Sequence, residues 1–388
     1  MKNNISPWPS FTQEEVDAVS KVLLSNKVNY WTGSEGRKFE KEFANWCGSN
    51  YAVALANGTL ALDLAIKALD IGDNDEVIVT PRSFIASVSS VVNAGATPVF
   101  ADIDLNSGNI TAESIKVKIS NKTKAIICVH LAGFPCEMSD IMRLAQKHNL
   151  YVIEDCAQAH GAKYKSRSVG SIGHIGCWSF CQDKIMSTGG EGGMVTTSDE
   201  SLWRKMWAYK DHGKSYEVVY EREHPNGFRW LHESFGTNWR MTEIQAAIGR
   251  IQLRRMLDWH NKRMRNAKKI WDTAKNCKGL RIGVIPSYME HAAYKCYVYV
   301  DSCKLKDGWN RDKIINKINN LNTPCFSGSC SEIYLEGAFE HRFRPNKRLQ
   351  NARKLGEESL MFLVHPTLSE DEIDRFCRVI KIVIDQAT

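Results

Sequence analysis

The sequence predicts an α/β fold, in which a large domain built on a mostly parallel sheet is followed by a smaller α/β domain. Short apolar runs with strand character alternate with amphipathic helical patterns through the first half of the chain. This alternation is typical of a sheet that helices cover on both faces. The chain has 388 residues, more than a single hydrophobic core usually serves, so two domains are expected.

Five short apolar runs are predicted as buried strands of the large sheet: YAVALA at 51–56, EVIVTP at 76–81, ATPVFADI at 96–103, KAIICVH at 124–130 and LYVIED at 150–155. Helical patterns lie between them at 59–70 and 139–149. CWSFCQ and GGMVTTS are predicted as a further pair of strands that flank Lys184. Functional groups of parallel sheets collect at the carboxyl ends of the strands. Asp155, at the end of its predicted strand, is therefore a candidate site residue.

A small second domain is predicted from the final third of the chain. The stretch from about 243 to 275 is long, helical and basic, and it is predicted to carry the chain out of the large domain. The boundary is placed so that residues 1–255 form the large domain and 256–388 the small one. HAAYKCYVYV at 291–300, followed by two helical patterns, fits a small α/β unit.

Composition argues against several classes of protein. Hydrophobic residues make up 43% of the chain and charged residues 24%, which is ordinary for a globular protein. The net charge of +7 is modest and the basic residues are dispersed, so a mild preference for anionic ligands is expected rather than nucleic-acid binding. No apolar run reaches membrane-spanning length, and MKNNISPWPS lacks the apolar core of a signal peptide. A cytoplasmic protein without membrane partners is expected.

The twelve cysteines contain no C-x-x-C pair, the spacing that zinc sites commonly use. In a chain with no export signal they are interpreted as reduced, mostly buried thiols, and no metal site is predicted.

Lys184 and Asp155 together indicate pyridoxal phosphate chemistry. A lysine must hold this cofactor as a Schiff base, while an acidic side chain keeps the pyridine nitrogen protonated so that the ring acts as an electron sink. A lysine amine reacts in this way in a desolvated or electropositive setting. Apolar neighbours are expected to desolvate Lys184: Trp178, Phe180, Ile185 and Met186.

Asn57, Gly58 and Thr59 lie between a predicted strand and a predicted helix. Backbone N–H groups and the Thr59 hydroxyl at such a helix N-terminus are able to hold a phosphate. On these residues alone, the favoured interpretation is simpler: Thr59 is an ordinary N-cap.

Six segments follow one another along the chain: ANGTLAL, PRSFIAS, VIEDCAQAHGA, GHIGCWSF, DKIMSTGGEGGM and GTNWRMTEIQAAIG. They resemble the DegT-type aminotransferases, pyridoxal-phosphate enzymes that aminate keto sugars, usually nucleotide-linked ones. The resemblance runs from about Trp31 to Leu253 and, more loosely, to HPTLSEDEI near the C-terminus. It implies an aspartate-aminotransferase-like fold, the type I fold of these enzymes. It also implies pyridoxal 5'-phosphate as the cofactor, with pyridoxamine 5'-phosphate as its intermediate form.

Matched position by position, the resemblance implies that Lys184 is the Schiff-base lysine and the proton shuttle. It implies that Asp155 pairs with the pyridine nitrogen, that Gln158 lies near the phenolic oxygen, and that Phe84 packs on the ring. The phosphate cradle is implied to consist of Gly58, Thr59 and Ser179.

Asn238 of GTNWR matches a residue that reaches the phosphate from the partner subunit, which implies a homodimer with shared active sites. Arg240 is considered as a contact for a substrate carboxylate or phosphate, with a structural ion pair as the equal alternative. His160 and His174 flank the cofactor motifs and are interpreted as packing or hydrogen-bonding residues rather than catalysts.

The resemblance implies transamination in two halves, in which L-glutamate gives its amino group to the cofactor and a keto sugar then takes it. Dehydratases of the same family carry histidine in place of the Schiff-base lysine, so Lys184 argues against that branch. A nucleotide-linked 4-keto-6-deoxy sugar is the first choice of acceptor, before a 3-keto sugar nucleotide and an unlinked keto sugar acid. The product is expected to enter lipopolysaccharide O-antigen or another surface glycan. The segments 210–235 and 323–339 depart from the family and leave the acceptor open.

Two other classes of protein remain as alternatives. One is a regulatory relative that keeps the fold and the cofactor without turnover, which the joint presence of Asp155, Gln158 and Lys184 argues against. The other is a nucleotide-binding α/β module in which GGEGG holds a phosphate. The chain lacks both the G-x-x-x-x-G-K-[ST] pattern and a strand-linked G-x-G-x-x-G pattern that such a module requires.

Overall fold

The computed structural model describes residues 5–339 and 343–388. The first four residues of MKNNISPWPS lie outside that range. The strands of the first half of the chain are β1 (Tyr51–Leu55), β2 (Glu76–Val79), β3 (Thr97–Phe100), β4 (Thr123–Val129), β5 (Tyr151–Asp155), β6 (Lys163–Tyr164), β7 (Arg167–Ser168), β8 (Ile175–Ser179) and β9 (Gly193–Thr197). Each of the five predicted strands and the predicted pair around Lys184 is present, with its ends shifted by a few residues.

Seven of these strands form the large sheet, in the order β1-β9-β8-β5-β4-β2-β3. β5 is parallel to β4 and β8, and β2 is parallel to β3 and β4. β9 alone runs against its neighbours β1 and β8. The prediction of a mostly parallel sheet is therefore confirmed, and the carboxyl ends of its central strands lie along one edge.

The helices are α1 (Gln13–Leu24), α2 (Glu35–Cys47), α3 (Gly58–Ala68), α4 (Ala86–Asn93), α5 (Ala112–Lys116), α6 (Met138–His148), α7 (Glu200–Tyr209), α8 (Tyr216–Tyr220), α9 (Glu243–Arg254), α10 (Met256–Lys275), α11 (Arg311–Asn320), α12 (Gln350–Glu358) and α13 (Glu370–Ala387). Helices α3 and α6 are those predicted at 59–70 and 139–149. The stretch 243–275 is helical as predicted, but it forms two helices that are separated at Arg255.

Alternate residues of the central strands belong to different hydrophobic cores. Val77 and Val79 of β2 pack with residues of α3 and α4, whereas Ile78 packs with residues of α6 on the opposite face. All three side chains are completely buried. Helices thus cover both faces of the sheet, which explains why its strands are apolar throughout rather than alternating with polar residues.

A second, antiparallel sheet lies in the final third of the chain. It consists of β10 (Leu280–Arg281), β12 (Cys296–Val300), β14 (Ser359–Phe362) and β13 (Cys325–Phe326), in that spatial order. Helices α10, α11 and α13 enclose a separate core against it. β11 (Met289–Glu290) instead pairs with β6 of the large unit. Among the residues described after β12 there are three α-helices (α11, α12 and α13), one more than the sequence predicts.

The chain passes between the large and the small unit at more than one point. The turn at Ile333–Leu335 returns to the core of the large sheet, where Tyr334 and Phe339 contact Phe100. At the other end of the chain, Ile5 packs against the core of the small sheet. Segments from both sides of residue 255 therefore contribute to the opposite unit, and the boundary placed there remains a prediction.

Within the described residues, none of the helices combines the length and the apolar character that a membrane crossing requires. All twelve cysteines are free thiols, and eight of them are buried. The buried free thiols agree with the interpretation of the cysteines.

Candidate active site

A cavity of about 570 Å³ opens at the carboxyl edge of the large sheet. The ends of β5 and β8 and the first turns of α3 and α4 surround it. The side chains predicted for the cofactor lie together in its wall: Gly58, Thr59, Phe84, Asp155, Gln158, Ser179 and Lys184. The chain brings them together because strands that are distant in sequence are adjacent in the sheet.

Asp155 is the last residue of β5, and it is 5% exposed. Its Oδ2 accepts a hydrogen bond of 2.7 Å from the Ser87 hydroxyl, and its Oδ1 accepts one of 3.1 Å from the backbone N–H of Ala157. Ser87 is itself 2.8 Å from the Ser83 hydroxyl. A buried carboxylate with fixed orientation is thus aimed at the cavity. Ser87 belongs to PRSFIAS, a segment in which the sequence indicated a role for Phe84 alone.

Lys184 lies in the loop that joins β8 to β9, with 15% of its side chain exposed. Trp8 holds the loop by donating its indole N–H to the Lys184 carbonyl at 2.8 Å. The amine is 3.8 Å from Asp183 Oδ1. The four apolar neighbours expected to desolvate the lysine are all completely buried: Trp178, Phe180, Ile185 and Met186. The side chain thus lies in the cavity wall and is largely shielded from solvent.

Helix α3 begins at Gly58, and its N-cap is Asn57, whose side chain accepts from the backbone N–H of Leu60 at 3.0 Å. The interpretation of Thr59 as the N-cap is therefore wrong, since the first helical turn begins one residue before it. Thr59 is exposed to the cavity, and its hydroxyl does not cap the helix. A Cβ added to Gly58 would lie 2.5 Å from the Cβ of Ser179. Only glycine allows this approach of α3 to β8, and the resulting cradle exposes helix N–H groups to an anion.

Gln158 and Phe84 complete the wall of the cavity. Gln158 Oε1 accepts from the backbone N–H of Ala132 at 2.8 Å, which fixes the amide and leaves its NH₂ as a donor toward a ligand. The Phe84 side chain is 67% exposed although it belongs to a buried segment. An aromatic face left uncovered at the mouth of a cavity is suited to stacking on a planar ring.

Asn238 and Arg240 do not line this cavity. Asn238 is exposed and pairs with Asp211 as an isolated β-bridge. The Arg240 guanidinium lies 2.6 Å from the carboxylate of the buried Asp211. Arg240 thus forms the structural ion pair that was its alternative interpretation, and its contact with substrate remains a prediction.

The two histidines near the cofactor motifs have structural surroundings. His160 is completely buried, with its ring 5.1 Å from Trp178, and burial lowers its pKa to about 3, so it is neutral. His174 Nδ1 accepts from the backbone N–H of Val152 at 2.9 Å. These environments are those of packing and hydrogen-bonding residues.

His130, Glu154 and Cys156 cluster closely enough to suggest a metal site among the described residues. The Glu154 carboxylate, however, already accepts from His130 at 3.0 Å and from three backbone N–H groups of the loop 170–173. The other ring nitrogen of His130 accepts from the backbone N–H of Cys136. Because these donors and acceptors are used, the cluster serves to hold that loop behind β5.

Comparison with known proteins adds independent findings. A model of the DegT/DnrJ/EryC1/StrS aminotransferase family matches residues 9–381. The crystal structure of an aminotransferase from Psychrobacter cryohalolentis is 65% identical, covers 99% of both chains and superimposes with a TM-score of 0.97. GDP-perosamine synthase of Escherichia coli O157:H7 is 44% identical over 254 residues, or 65% of this chain and 66% of the relative. A UDP-N-acetyl-3-dehydro-alpha-D-glucosamine 3-aminotransferase of Acidithiobacillus ferrooxidans is 35% identical over 376 residues, or 95% and 93%.

Proposed function

Because the chain belongs to the DegT/DnrJ/EryC1/StrS family, and is thus a pyridoxal-phosphate-dependent sugar aminotransferase, we propose that its amino donor is L-glutamate and its acceptor a nucleotide-linked 4-keto-6-deoxy sugar. The aspartate-aminotransferase-like fold inferred from the sequence is confirmed by the solved relatives. The product is an amino sugar for O-antigen or another surface polysaccharide.

The cavity fits pyridoxal phosphate on three separate counts. Gly58 and Ser179 approach so closely that a side chain on Gly58 would close the cradle for the phosphate. Asp155 supplies the buried carboxylate that a protonated ring nitrogen requires. Lys184 supplies the amine in the wall of the same cavity. Cradle, carboxylate and amine in one cavity are the observation that carries the proposal.

Each side chain has a definite task in amino transfer. When bound, pyridoxal phosphate supplies the electron sink that stabilises negative charge at the reacting carbon. Lys184 would hold the cofactor through its Nζ and, once released, would move the proton from the donor carbon to the cofactor carbon. Asp155, oriented by Ser87, would keep a proton on the ring nitrogen. Phe84 would cover the open face of the ring and exclude water there.

The class of acceptor sugar is inferred from the relatives. GDP-perosamine synthases match at 40–45% identity over 58–65% of the chain. The relative matched over nearly the full length acts, by its name, on a 3-dehydro sugar linked to UDP. Both names favour a nucleotide-linked keto sugar over an unlinked sugar acid, so a 3-keto sugar nucleotide remains the second candidate.

We also infer a homodimer in which Asn238 reaches the partner's cofactor phosphate. Asn238 is exposed, and the segment before it presents three large aromatic side chains to solvent: Phe228, Trp230 and Phe235, which are 76%, 80% and 100% exposed. Apolar groups exposed so close together mark an interaction surface. The twelve free thiols suit the cytoplasm, where cysteines stay reduced, and we place the enzyme there.

The donor half is tested by the absorbance spectrum of the purified protein before and after addition of L-glutamate, with no sugar present. We expect a visible band that converts to the near-ultraviolet band of pyridoxamine phosphate. Lys184→Ala should retain the cofactor yet fail to convert it, since the amine that moves the proton is gone. A visible band that glutamate leaves unchanged would mean another donor or a relative without turnover.

The second half-reaction, amino transfer to the acceptor, is tested with the converted enzyme. Nucleotide-linked 4-keto-6-deoxy sugars, 3-keto sugar nucleotides and unlinked keto sugar acids are added separately, and return of the visible band identifies the acceptor class. Return with the 3-keto compounds alone would replace the first choice by the second.

A further inference from the structure

Asp183 and Tyr294 lie beside Lys184, yet the tasks assigned above do not use them. Asp183 lines the cavity, and 53% of its side chain is exposed. Tyr294 approaches from the segment that leads into β12 of the small sheet, and it is 6% exposed. The Tyr294 hydroxyl donates to Asp183 Oδ2, and Asp183 Oδ1 is 3.8 Å from Lys184 Nζ. Hydroxyl, carboxylate and amine therefore form a continuous chain that ends in the cavity.

The backbone of Tyr294 is held as firmly as its hydroxyl. Its N–H donates to the Ala132 carbonyl at 3.0 Å, and the Ala132 N–H donates in turn to Gln158 at 2.8 Å. The Tyr294 carbonyl accepts from the buried Arg263 at 3.5 Å. A tyrosine fixed at both ends orients its acceptor at little further cost in conformational entropy. Tyr294 thus meets the requirement for a residue that orients a half-exposed carboxylate.

We propose that Tyr294 is a positioning residue that acts through Asp183: its hydroxyl aims the carboxylate at Lys184, and the carboxylate holds the amine in the cavity and sets how readily it takes a proton. The proposal rests on Lys184 being the residue that carries the cofactor, as proposed above. The aromatic ring adds a direct contact, because Lys184 Nζ lies 5.3 Å from its centroid, within the range of a cation–π interaction.

The charges explain why two partners are needed. Burial raises the pKa of the Asp183 carboxyl, but Lys184 and the Tyr294 hydroxyl outweigh burial and hold that pKa below its ordinary value. Asp183 is therefore ionised at neutral pH. A carboxylate this close favours the protonated form of a neighbouring nitrogen, and a hydrogen bond from Tyr294 spreads its charge and moderates that preference. Asp183 and Tyr294 together therefore set how strongly the protonated form of the nitrogen is favoured.

Other titratable groups face the same region and are present in every variant: Asp155, His160, Cys181, Glu191, Arg263 and Lys295. Burial lowers the pKa of Lys295 to about 8 and that of His160 to about 3. Asp183 also raises the pKa of Lys295 and of Cys181, so the readout must come from the nitrogen that joins Lys184 to the cofactor and from no other group.

The test is a pH titration of the visible absorbance band of the holoenzyme without substrate, since this band reports protonation of the nitrogen that joins Lys184 to the cofactor. Asp183→Asn should lower the midpoint by about one unit, the smaller end of the range for a close opposite charge, because the carboxylate is half-exposed. Tyr294→Phe should raise the midpoint, because the carboxylate loses the donor that moderates it. The double variant should match Asp183→Asn alone, because Tyr294 acts through Asp183.

Tyr288→Phe is the matched control, since the Tyr288 hydroxyl also donates to a carboxylate, Glu137 Oε1 at 2.6 Å, outside the cavity wall. It should leave the midpoint unchanged. Equal midpoints for Asp183→Asn and the parent enzyme would overturn the proposal, and so would a double variant that differs from Asp183→Asn. Should Tyr294→Phe not fold, an unchanged midpoint for Asp183→Asn still overturns the proposal. If the parent enzyme shows no band that depends on Lys184, the proposed function fails first, and the two failures are distinguishable.

Discussion

Gly58→Ala isolates the contribution of the phosphate cradle. The added methyl group would lie 2.5 Å from Ser179 Cβ and 3.0 Å from Ser179 Cα. Ordinary carbon contacts are about 3.5–4.0 Å, so α3 and β8 must separate by about 1 Å. Neither moves freely, because β8 is buried along its whole length and the inner face of α3 is in the core. Overpacking of this kind costs about 1–3 kcal/mol in the free energy of unfolding.

The same displacement should weaken cofactor binding. A cradle opened by about 1 Å loses at least one hydrogen bond to the phosphate, and such bonds to charged groups are each worth about 1.5–3 kcal/mol. We expect the dissociation constant of pyridoxal phosphate, measured by absorbance titration of the apoprotein, to rise about tenfold to a hundredfold. Thermal unfolding of the apoprotein should shift down in parallel.

Two variants make this result interpretable. Gly337→Ala is the control, because no atom lies within 4 Å of the Cβ that it adds. Ser179→Gly in the Gly58→Ala background removes the opposing Cβ and should restore part of the lost stability. If Gly58→Ala unfolds more easily but binds the cofactor as tightly as the parent, the phosphate is not held at this cradle and the reasoning is wrong.

Three further predictions address other parts of the molecule. Ser87→Ala removes the 2.7 Å hydrogen bond to Asp155 and should weaken cofactor binding about tenfold; an unchanged dissociation constant would mean that Ser87 does not orient the carboxylate. Asn238→Ala should lower cofactor retention on gel filtration without unfolding the protein, and a fully active monomer would contradict shared sites. Three histidines are neutral in the folded protein because burial lowers their pKa to about 3, and below about pH 6.5 they are protonated only in the unfolded chain: His160, His291 and His365. The free energy of unfolding, measured with urea, should therefore be about 4 kcal/mol lower at pH 5.5 than at pH 7.5. No such loss is expected if these histidine rings are accessible to solvent.

The large sheet was predictable because burial on both faces makes each strand a continuous apolar run. Such runs can be recognised in the sequence without knowing the order of the strands. The break between α9 and α10 was not. Arg255 carries no helix-breaking character, and its guanidinium pairs with Glu14 and Glu15, both 2.7 Å away and some 240 residues earlier in the chain. A turn that is stabilised by partners so distant in sequence leaves no local pattern.

The cofactor residues divide in the same way. Lys184 and Asp155 were identified because their chemistry requires those residue types, and the resemblance to a family then placed Gly58 and Ser179. Thr59 was misjudged as a cap because Asn57, an equally good capping residue, stands two positions earlier. Local sequence offered both, and only the observed start of α3 decides between them.

Ser87 and Tyr294 show what kind of information the sequence lacks. Ser87 contacts Asp155 because β2 and β5 both flank β4, which brings the start of α4 to the end of β5. Tyr294 reaches Asp183 from the segment that leads into β12, 111 residues later in the chain. The groups that react must be of a particular type, and so they stand out; the groups that orient them need only be a hydroxyl in the right place. Residues that tune a site are therefore found through the packing of the fold, and the opposite shifts expected for Asp183→Asn and Tyr294→Phe test whether that packing has been interpreted correctly.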